Sequence, residues 1–320
     1  MIKYVDGMMG LIVGDALGVP VEFLSREQIA NRPNGKVSSM EGYGTFHMPE
    51  GTWSDDSSMA LATLASIKEK KAIDLDDIMK NFIQWIQDGK YTPFGMAFDI
   101  GNTCNEAILN YAMQGDCSSC GVIGEYANGN GALMRILPAC VYWSEKIKRE
   151  EKDILAKAVR SIESVGALTH NHKRSGIACG LYFFIINKII SNGEKKLPEL
   201  IQEAMDEAFA FYGKDKLCHT ELEYYEELLD IEVLSEYEED ELSGSGYVVD
   251  SLIASIWCLI TTNTYEECVL KAVNLGDDTD TTAAIAGGIA GQYYGFKNIP
   301  TSWINSLKGK DLIRDIVGWI

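Results

Sequence analysis

Apolar residues return every three or four positions through most of the chain, in segments such as MALATLASIKEKK at 59–71, DLDDIMKNFIQWIQDG at 74–89 and YVVDSLIASIWCLITT at 247–262. The same period runs through CNEAILNYAM, EKDILAKAVRSIESVGALT, RSGIACGLYFFIINKIIS, LPELIQEAMDEAFAFYG, TYEECVLKAVNLG and TTAAIAGGIAGQYYG. Such spacing stacks side chains on one face of an α-helix, whereas the alternation that marks a strand is missing. No repeat of fixed period and no long Pro/Gly/Ser linker divides the chain. The pattern predicts a compact, all-α, single domain over 1–320 with about ten helices or more.

Two segments read differently. GMMGLIVGDALG at 7–18 and AGGIAGQYYG at 286–295 are helix-like but built from small residues. Each interior glycine costs a helix about 0.8–1 kcal/mol relative to alanine. Close approach of two helix backbones at the domain centre would offset that cost, and would draw together the loops at their ends.

Composition is that of an ordinary globular chain, 46% hydrophobic and 23% charged, but the formal net charge is −19. With 28 basic residues against 47 acidic ones, a structured nucleic-acid partner is not expected. The basic runs KEKK at 68–71 and KIKRE at 146–150 read as solvated helix ends or loops. The acidic stretch at 221–241 mixes aromatics and leucines with its carboxylates, which suggests an exposed face or a mobile lid. The longest apolar run, IACGLYFFIINKII, reads as too short to cross a membrane, and the start of the chain lacks a signal-peptide pattern. Eight scattered cysteines suit a reducing cytoplasm. Cys117 and Cys120 form a lone CxxC without the second pair a zinc site needs, and read as surface thiols.

Candidate chemistry lies in three polar clusters. GDALGVPVEF places Asp15 in the first small-residue helix and Glu22 on extended chain beyond Pro20. In GTWSDDSSMALA, Ser54 fits an N-cap with Asp55 and Asp56 in the first turn. Capping accounts for one of those aspartates; metal binding competes as the reason for the second. In LGDDTDTTAA, Asp278 and Asp280 stand one residue apart just before a helix, able to direct both carboxylates to one side of extended backbone, with Thr281 beside them and Asp277 facing solvent. Oxygen ligands of this kind suit Mg²⁺-like cations, and the site would be binuclear if the three clusters converge. A dinuclear carboxylate site orients phosphates and activates water, so phosphoester or phosphate-linked sugar hydrolysis is the reading from these residues alone.

Taken together, GLIVGDALGVPVEF, TWSDDSSMALA, FDIGNTC, NGNGALMRILP, LTHNH, SGYVVDSLIASIW and LGDDTDTTAAIAGGIAGQYYG resemble the ADP-ribosylglycohydrolase family, most strongly its dinitrogenase-reductase-activating, arginine-linkage branch, from about residue 5 to residue 305. The resemblance implies an all-α domain holding two Mg²⁺ or Mn²⁺ ions in a central cleft and cleaving ADP-ribose from a protein side chain. It implies metal ligation by Ser54, Asp55, Asp56, Asp278, Asp280 and Thr281, with Ser54 where relatives often carry threonine. Glu22 would bind or gate a metal or orient water, and Asp99 would face a guanidinium, unless it merely caps the helix that starts near Asn102. Glu22, Asp55 and Asp56 are the candidate proton acceptors. The loop at 128–134 would present backbone N–H groups of Gly129, Asn130 and Gly131 to the diphosphate, with Ala132 where many relatives have serine. His170, or else His172, would stand near the ribose, and Tyr247, Tyr293 or Tyr294 are candidates to stack on adenine. The implied substrate is an ADP-ribosylated protein or small ADP-ribose conjugate; the residues themselves suggest a cytoplasmic location and no membrane partner, and a single domain with no repeated apolar surface pattern makes a monomer the expectation. Hydrolysis of O-linked ADP-ribose (on serine or O-acetyl-ADP-ribose), a generic phosphoanhydride hydrolase and a silent ADP-ribose binder are the alternatives.

Overall fold

The amphipathic pattern at 74–89 becomes a helix that buries Ile78, Met79, Asn81, Phe82 and Trp85. Its ends are set locally: the Asp74 carboxylate accepts from the N–H of Asp77 at 3.0 Å, and Gly89 closes it in the left-handed conformation at φ 64°. The structure, a computed structural model, describes residues 4–148, 154–192 and 194–319. Arg149 and Glu150 of the KIKRE run, and the first residues of the helical pattern that follows, lie outside the described residues.

In chain order the helices are α1 (Val5–Gly18), α2 (Arg26–Ala30), α3 (Asp55–Lys70), α4 (Leu75–Asp88), α5 (Asn102–Gln114), α6 (Leu137–Ile147), α7 (Leu155–Ala167) and α8 (Lys173–Asn192). They continue with α9 (Leu197–Tyr212), α10 (Lys216–Leu222), α11 (Ile231–Ser235), α12 (Val248–Ile260), α13 (Tyr265–Val273), α14 (Thr279–Tyr294), α15 (Thr301–Ser306) and α16 (Lys310–Val317). Short 3₁₀ turns join several of them. Among the described residues there is no strand, only the isolated bridges Val122–His170 and Gly129–Tyr247. The molecule is an all-α, multi-helix, single-domain fold.

Its spine is the pair of small-residue helices. From Gly7 to Gly18 every residue of α1 is buried, and α14 is buried from Thr279 to Gly291, so neither needs an apolar stripe. A Cβ on Gly10 would stand 2.2 Å from the Gly287 carbonyl oxygen, and one on Gly14 2.1 Å from that of Ala283. Only glycine allows this approach, and packing gained across the interface offsets the lost helix propensity. The remaining helices wrap this pair, with α12 and α13 against α14 and α3 and α6 against α1.

Two expectations need correction, and a third resolves to one of its alternatives. Helix α8 runs the full 20 residues of Lys173–Asn192, long and apolar enough by length and composition to cross a membrane, because Lys173, Asn187 and Lys188 lie within its helical run. It is 78% buried inside the domain, as a core helix is. Of the two readings of the acidic stretch, the structure shows the exposed face: α10, α11 and the 3₁₀ turn Glu223–Leu229 bury Cys218, Leu222, Tyr225, Leu228, Ile231 and Leu234 and turn most of their carboxylates outward. Cys120 is buried rather than on the surface, with its thiol near the Leu168 carbonyl at 3.3 Å, and burial pushes that thiol up to about 11. All eight cysteines are free thiols.

Candidate active site

The last turn of α1 organises the site. Asp15, fully buried, accepts from the N–H of Ser54 at 2.9 Å, the N–H of Ser57 at 3.0 Å and the Ser57 hydroxyl at 2.5 Å. It therefore caps α3 from a different helix. Three residues later, one turn along α1, the Gly18 carbonyl accepts from the Thr279 hydroxyl at 2.9 Å, and a Cβ on Gly18 would meet Asp280 Cα at 2.3 Å. One helical turn thus fixes the N-terminus of α3 and the N-terminus of α14 side by side.

Ser54 is the N-cap of α3, and its hydroxyl donates to Asp56 Oδ2 at 3.1 Å; the Thr281 hydroxyl donates to the same oxygen at 3.3 Å. The third cluster differs from its expected shape. Asp278 is the N-cap of α14 while Asp280 and Thr281 already lie in its first turn, so the two aspartates are brought together by a helix start rather than by extended backbone. Asp277 is exposed, as expected, at φ 60°. The neighbouring loop exchanges backbone bonds with the Glu22 segment: Phe23 N–H to the Asp277 carbonyl at 2.7 Å and Asp277 N–H to that of Leu24 at 2.8 Å. Glu22 follows a 3₁₀ turn that contains Pro20, in extended conformation and 3% exposed.

Asp99 does not cap α5. The N-cap there is Gly101, without a side-chain bond. Carboxylate oxygens of Glu22, Asp99 and Asp280 instead lie within 4.8 Å of one another, as do those of Asp15, Asp56 and Asp280. The oxygens Glu22 Oε2, Asp56 Oδ1 and Asp280 Oδ2 are buried with no hydrogen-bond donor. Among the described residues no lysine or arginine forms an ion pair with any carboxylate of the set.

Burial, then the charges of Asp280, Asp99 and Asp278, push the Glu22 carboxyl far above its usual range. Asp55, Asp56 and Asp280 are also driven well up by burial and then by neighbouring carboxylates. Burial likewise raises Asp99 and Asp278. Like charges packed at this density without compensation are costly, so the donor set fits a cation. Oxygens alone make up that set, which suits hard ions such as Mg²⁺ or Mn²⁺ rather than zinc. Asp15 is close enough to be a ligand, but its oxygens are occupied by three donors from Ser54 and Ser57. We therefore place it as the residue that holds α3 in position.

Glu22, Asp55, Asp99, Gly129, Asn130, Gly131, His170, Asp278 and Thr281 line one cleft of about 320 Å³, together with Phe23, Asn102, Cys104 and Met134. Asp56, Asp280 and Ser54 lie behind that wall, buried. Asn130 is more than loop backbone: its amide donates to Asp278 Oδ2 at 2.8 Å and to the Ser251 hydroxyl at 2.9 Å. Its N–H is spent on the Gly246 carbonyl at 3.0 Å, so of the three N–H groups expected to meet the diphosphate this one is already engaged. Ala132 is fully buried and faces Gly166, so the missing serine hydroxyl concerns the core rather than the cleft.

His170, not His172, reaches the cleft. The bridge to Val122 fixes its backbone, and its Nδ1 lies 2.9 Å from the Thr169 hydroxyl, which in turn accepts from Arg135 at 2.8 Å. Burial first, and then the Arg135 charge, lower its pKa to about 3, so the ring is neutral. His172 accepts from the Arg174 N–H at 3.2 Å. Tyr247 abuts the loop through its bridge to Gly129, with its hydroxyl accepting from Arg174 at 3.0 Å. Tyr293 and Tyr294 sit at the far end of α14, about 20 Å along the helix from Asp280 at 1.5 Å per residue, and take no part.

The profile described as ADP-ribosylglycohydrolase matches residues 2–320. The chain belongs to that family. ADP-ribosylglycohydrolases are glycosyl-bond hydrolases, and the acidic clusters above are this member's candidate metal sites. An ADP-ribosylarginine hydrolase of Serratia proteamaculans is 31% identical over 314 residues, 98% of this chain and 77% of the relative. An ADP-ribosyl-(dinitrogen reductase) glycohydrolase of Rhodospirillum rubrum is 30% identical over 308 residues, 96% and 91% of the two chains. Neither branch stands clearly nearer. Among solved structures, an ADP-ribosylglycohydrolase-related protein complex superposes with a TM-score of 0.76 at 26% identity, covering 99% of this chain and 95% of that one.

The residues that sequence reasoning left without a role are Asp15, Gly18, Ser57 and Thr279. Their signal was present in the small-residue pattern and the serine after the paired aspartates, but their partners are 39 to 261 residues away.

Proposed function

We propose that this ADP-ribosylglycohydrolase cleaves the N-glycosidic bond between ADP-ribose and an arginine guanidinium, with two Mg²⁺ or Mn²⁺ ions held by Ser54, Asp55, Asp56, Asp278, Asp280 and Thr281. The observation that carries the linkage is the position of Asp99. Free of any capping duty, its carboxylate stands beside Glu22 and Asp280 at the cleft, where a departing guanidinium would find a charge-assisted partner. The names of the relatives, one an ADP-ribosylarginine hydrolase, favour the same linkage.

Divalent ions at these oxygens would polarise substrate oxygens and ease deprotonation of water. The chain's own residues do the rest. Glu22 and Asp55 line the cleft, whereas Asp56 is fully buried behind its wall, so in this reading the proton acceptor is Glu22 or Asp55. Carboxylates around the reacting centre stabilise positive charge developing on the ribose. The neutral His170 and the Gly129–Gly131 wall orient the ribose and diphosphate, and Asn130 keeps Asp278 in register. The free cysteines favour a cytoplasmic location, and the reading takes the enzyme as a monomer, for which sedimentation should return a mass near 35.4 kDa.

Incubation with arginine-, serine- and O-acetyl-linked ADP-ribose decides the linkage. Release from arginine in Mn²⁺, abolished by EDTA, is the expected result. Release from serine alone would overturn the assignment.

A further inference from the structure

Arg135 is fully buried, and among the described residues it forms no ion pair. Its guanidinium sits at the C-terminal turn of α7, where Nη1 and Nη2 each donate to the Val165 carbonyl at 3.2 Å and Nη2 also reaches that of Gly166 at 3.5 Å. The last carbonyls of a helix carry partial negative charge, which offsets the buried cation in part. The Phe82 ring lies 4.9 Å from the guanidinium carbon. One further bond leads out of this core toward the cleft. Nη2 donates to the Thr169 hydroxyl oxygen at 2.8 Å, and that oxygen, itself fully buried, stands 2.9 Å from His170 Nδ1.

Counting protons along this chain fixes the imidazole. Arginine can only donate, so Thr169 Oγ1 accepts from Arg135 and keeps a single proton to give. Two acceptors face that proton, His170 Nδ1 and the thiol of Cys104. Burial pushes the Cys104 thiol up to about 12, so its sulfur is neutral and the weaker acceptor. The Arg135 charge acts in the same sense, because a buried cation favours the tautomer that turns a lone pair toward it rather than an N–H. With Nδ1 accepting, the ring proton stands on Nε2. That nitrogen is on the cleft side: a Cβ on Gly129 or on Gly131 would lie 3.4 Å from it, and among the described residues nothing accepts from it.

We propose that Arg135 and Thr169 are positioning residues that hold His170 as the Nε2–H tautomer, so that a neutral ring donates one hydrogen bond to an oxygen of the substrate in the cleft. The inference rests on the function proposed above only for the substrate, an ADP-ribose conjugate, and its test separates the two. Nitrogen-15 NMR reads the tautomer directly, and with four histidines in the chain a His170→Gln spectrum assigns the ring. In the wild type His170 should show a protonated Nε2 and an unprotonated Nδ1, unchanged from about pH 8 to about pH 5. Adding ADP-ribose should shift the Nε2 resonance. In Thr169→Val the Nδ1–H tautomer should appear, and kcat/KM on ADP-ribosylarginine should fall about tenfold. Thr169→Ser should restore the tautomer and bring kcat/KM to within about twofold of the wild type. A wild-type ring protonated at Nδ1 would overturn the inference, and that reading depends on no variant folding. So would a Thr169→Val protein that keeps the Nε2–H tautomer alone, or ADP-ribose that binds and leaves the Nε2 resonance unmoved. Failure of the wild type to cleave ADP-ribosylarginine, with the tautomer as expected, would count against the proposed function alone.

Discussion

Two clusters of charge lie beside the NGNG loop, one around a buried arginine and one of buried carboxylates, and they are built on opposite rules. Around Arg174, itself 3% exposed, the chain supplies every counter-charge: Glu221 accepts from Nε at 2.8 Å, Glu125 accepts from Nη1 at 2.5 Å, and the guanidinium lies 3.5 Å over the Tyr224 ring. Around Asp280 the chain supplies carboxylates and withholds the cation, leaving three buried oxygens without a donor. The first cluster is complete as folded and serves the fold. The second lacks a counter-charge of its own, and in the function proposed above a bound cation supplies it. A buried charge is informative chiefly through what does or does not accompany it.

Removing a carboxylate should therefore have opposite effects on activity and on metal-free stability. Asp280→Asn, at the position shared by both acid groups, should cost at least about 10²–10³-fold in turnover. The same variant should melt above the wild type in EDTA, because repulsion is relieved, and below it in Mn²⁺. Calorimetry in the two buffers checks the crossover; a variant less stable in both would break the contrast. In the balanced cluster, Arg174→Met should destabilise to the same extent with or without metal, since it removes the partner of the part-buried Glu221 carboxylate and of the Tyr247 hydroxyl, as urea melts would show.

The pH dependence of the metal-free protein follows in sign. Glu22, Asp55, Asp56, Asp99, Asp278 and Asp280 all have folded pKa values raised by burial, so between the unfolded values of 3.8 to 4.5 and the raised ones the folded chain binds more protons than the unfolded chain. Their contribution is fully present below about pH 4 and is lost as pH rises, at about 1.4 kcal/mol per pH unit for each proton concerned. Urea melts of EDTA-treated protein should show stability increasing from pH 7 to pH 5, while saturating Mn²⁺, which keeps the carboxylates ionised, should flatten or reverse the slope. A metal-free protein that loses stability on acidification would contradict the charge imbalance.

The spine that holds these like charges together gives the smallest effects. Gly14→Ala drives a Cβ to within 2.1 Å of the Ala283 carbonyl and should cost about 1–3 kcal/mol despite better helix propensity. Gly176→Ala in α8, whose nearest neighbour would be a Glu163 side-chain carbon at 3.6 Å, should be neutral or stabilising by up to about 1 kcal/mol. Thermal melts of the pair distinguish close approach from composition.

Much of this was legible from the residues alone. Periodicity located the long helices within a few residues, because amphipathic and all-apolar runs translate directly into buried faces. Ser54, Asp55 and Asp56 read as a helix start, where the structure places them, whereas Asp278 and Asp280 read as extended chain and instead cap and open α14. What escaped the sequence was long-range. α6 was missed because Pro138 opens an almost wholly buried helix with little amphipathic contrast. The tasks of Asp15 and Gly18 depend on an interface between α1, α3 and α14 that no local window contains. Asp99 as cap or as site residue was likewise undecidable until Gly101 proved to be the N-cap.

The central claim is that the carboxylate cluster is built around a cation, and calorimetric titration of Mn²⁺ into EDTA-treated, dialysed protein tests it most directly. The account predicts two Mn²⁺ per wild-type chain, fewer in Asp280→Asn, and a rise in the melting temperature of the wild type as the sites fill. A wild-type protein that binds no Mn²⁺ or Mg²⁺, and melts at the same temperature with and without them, would contradict it.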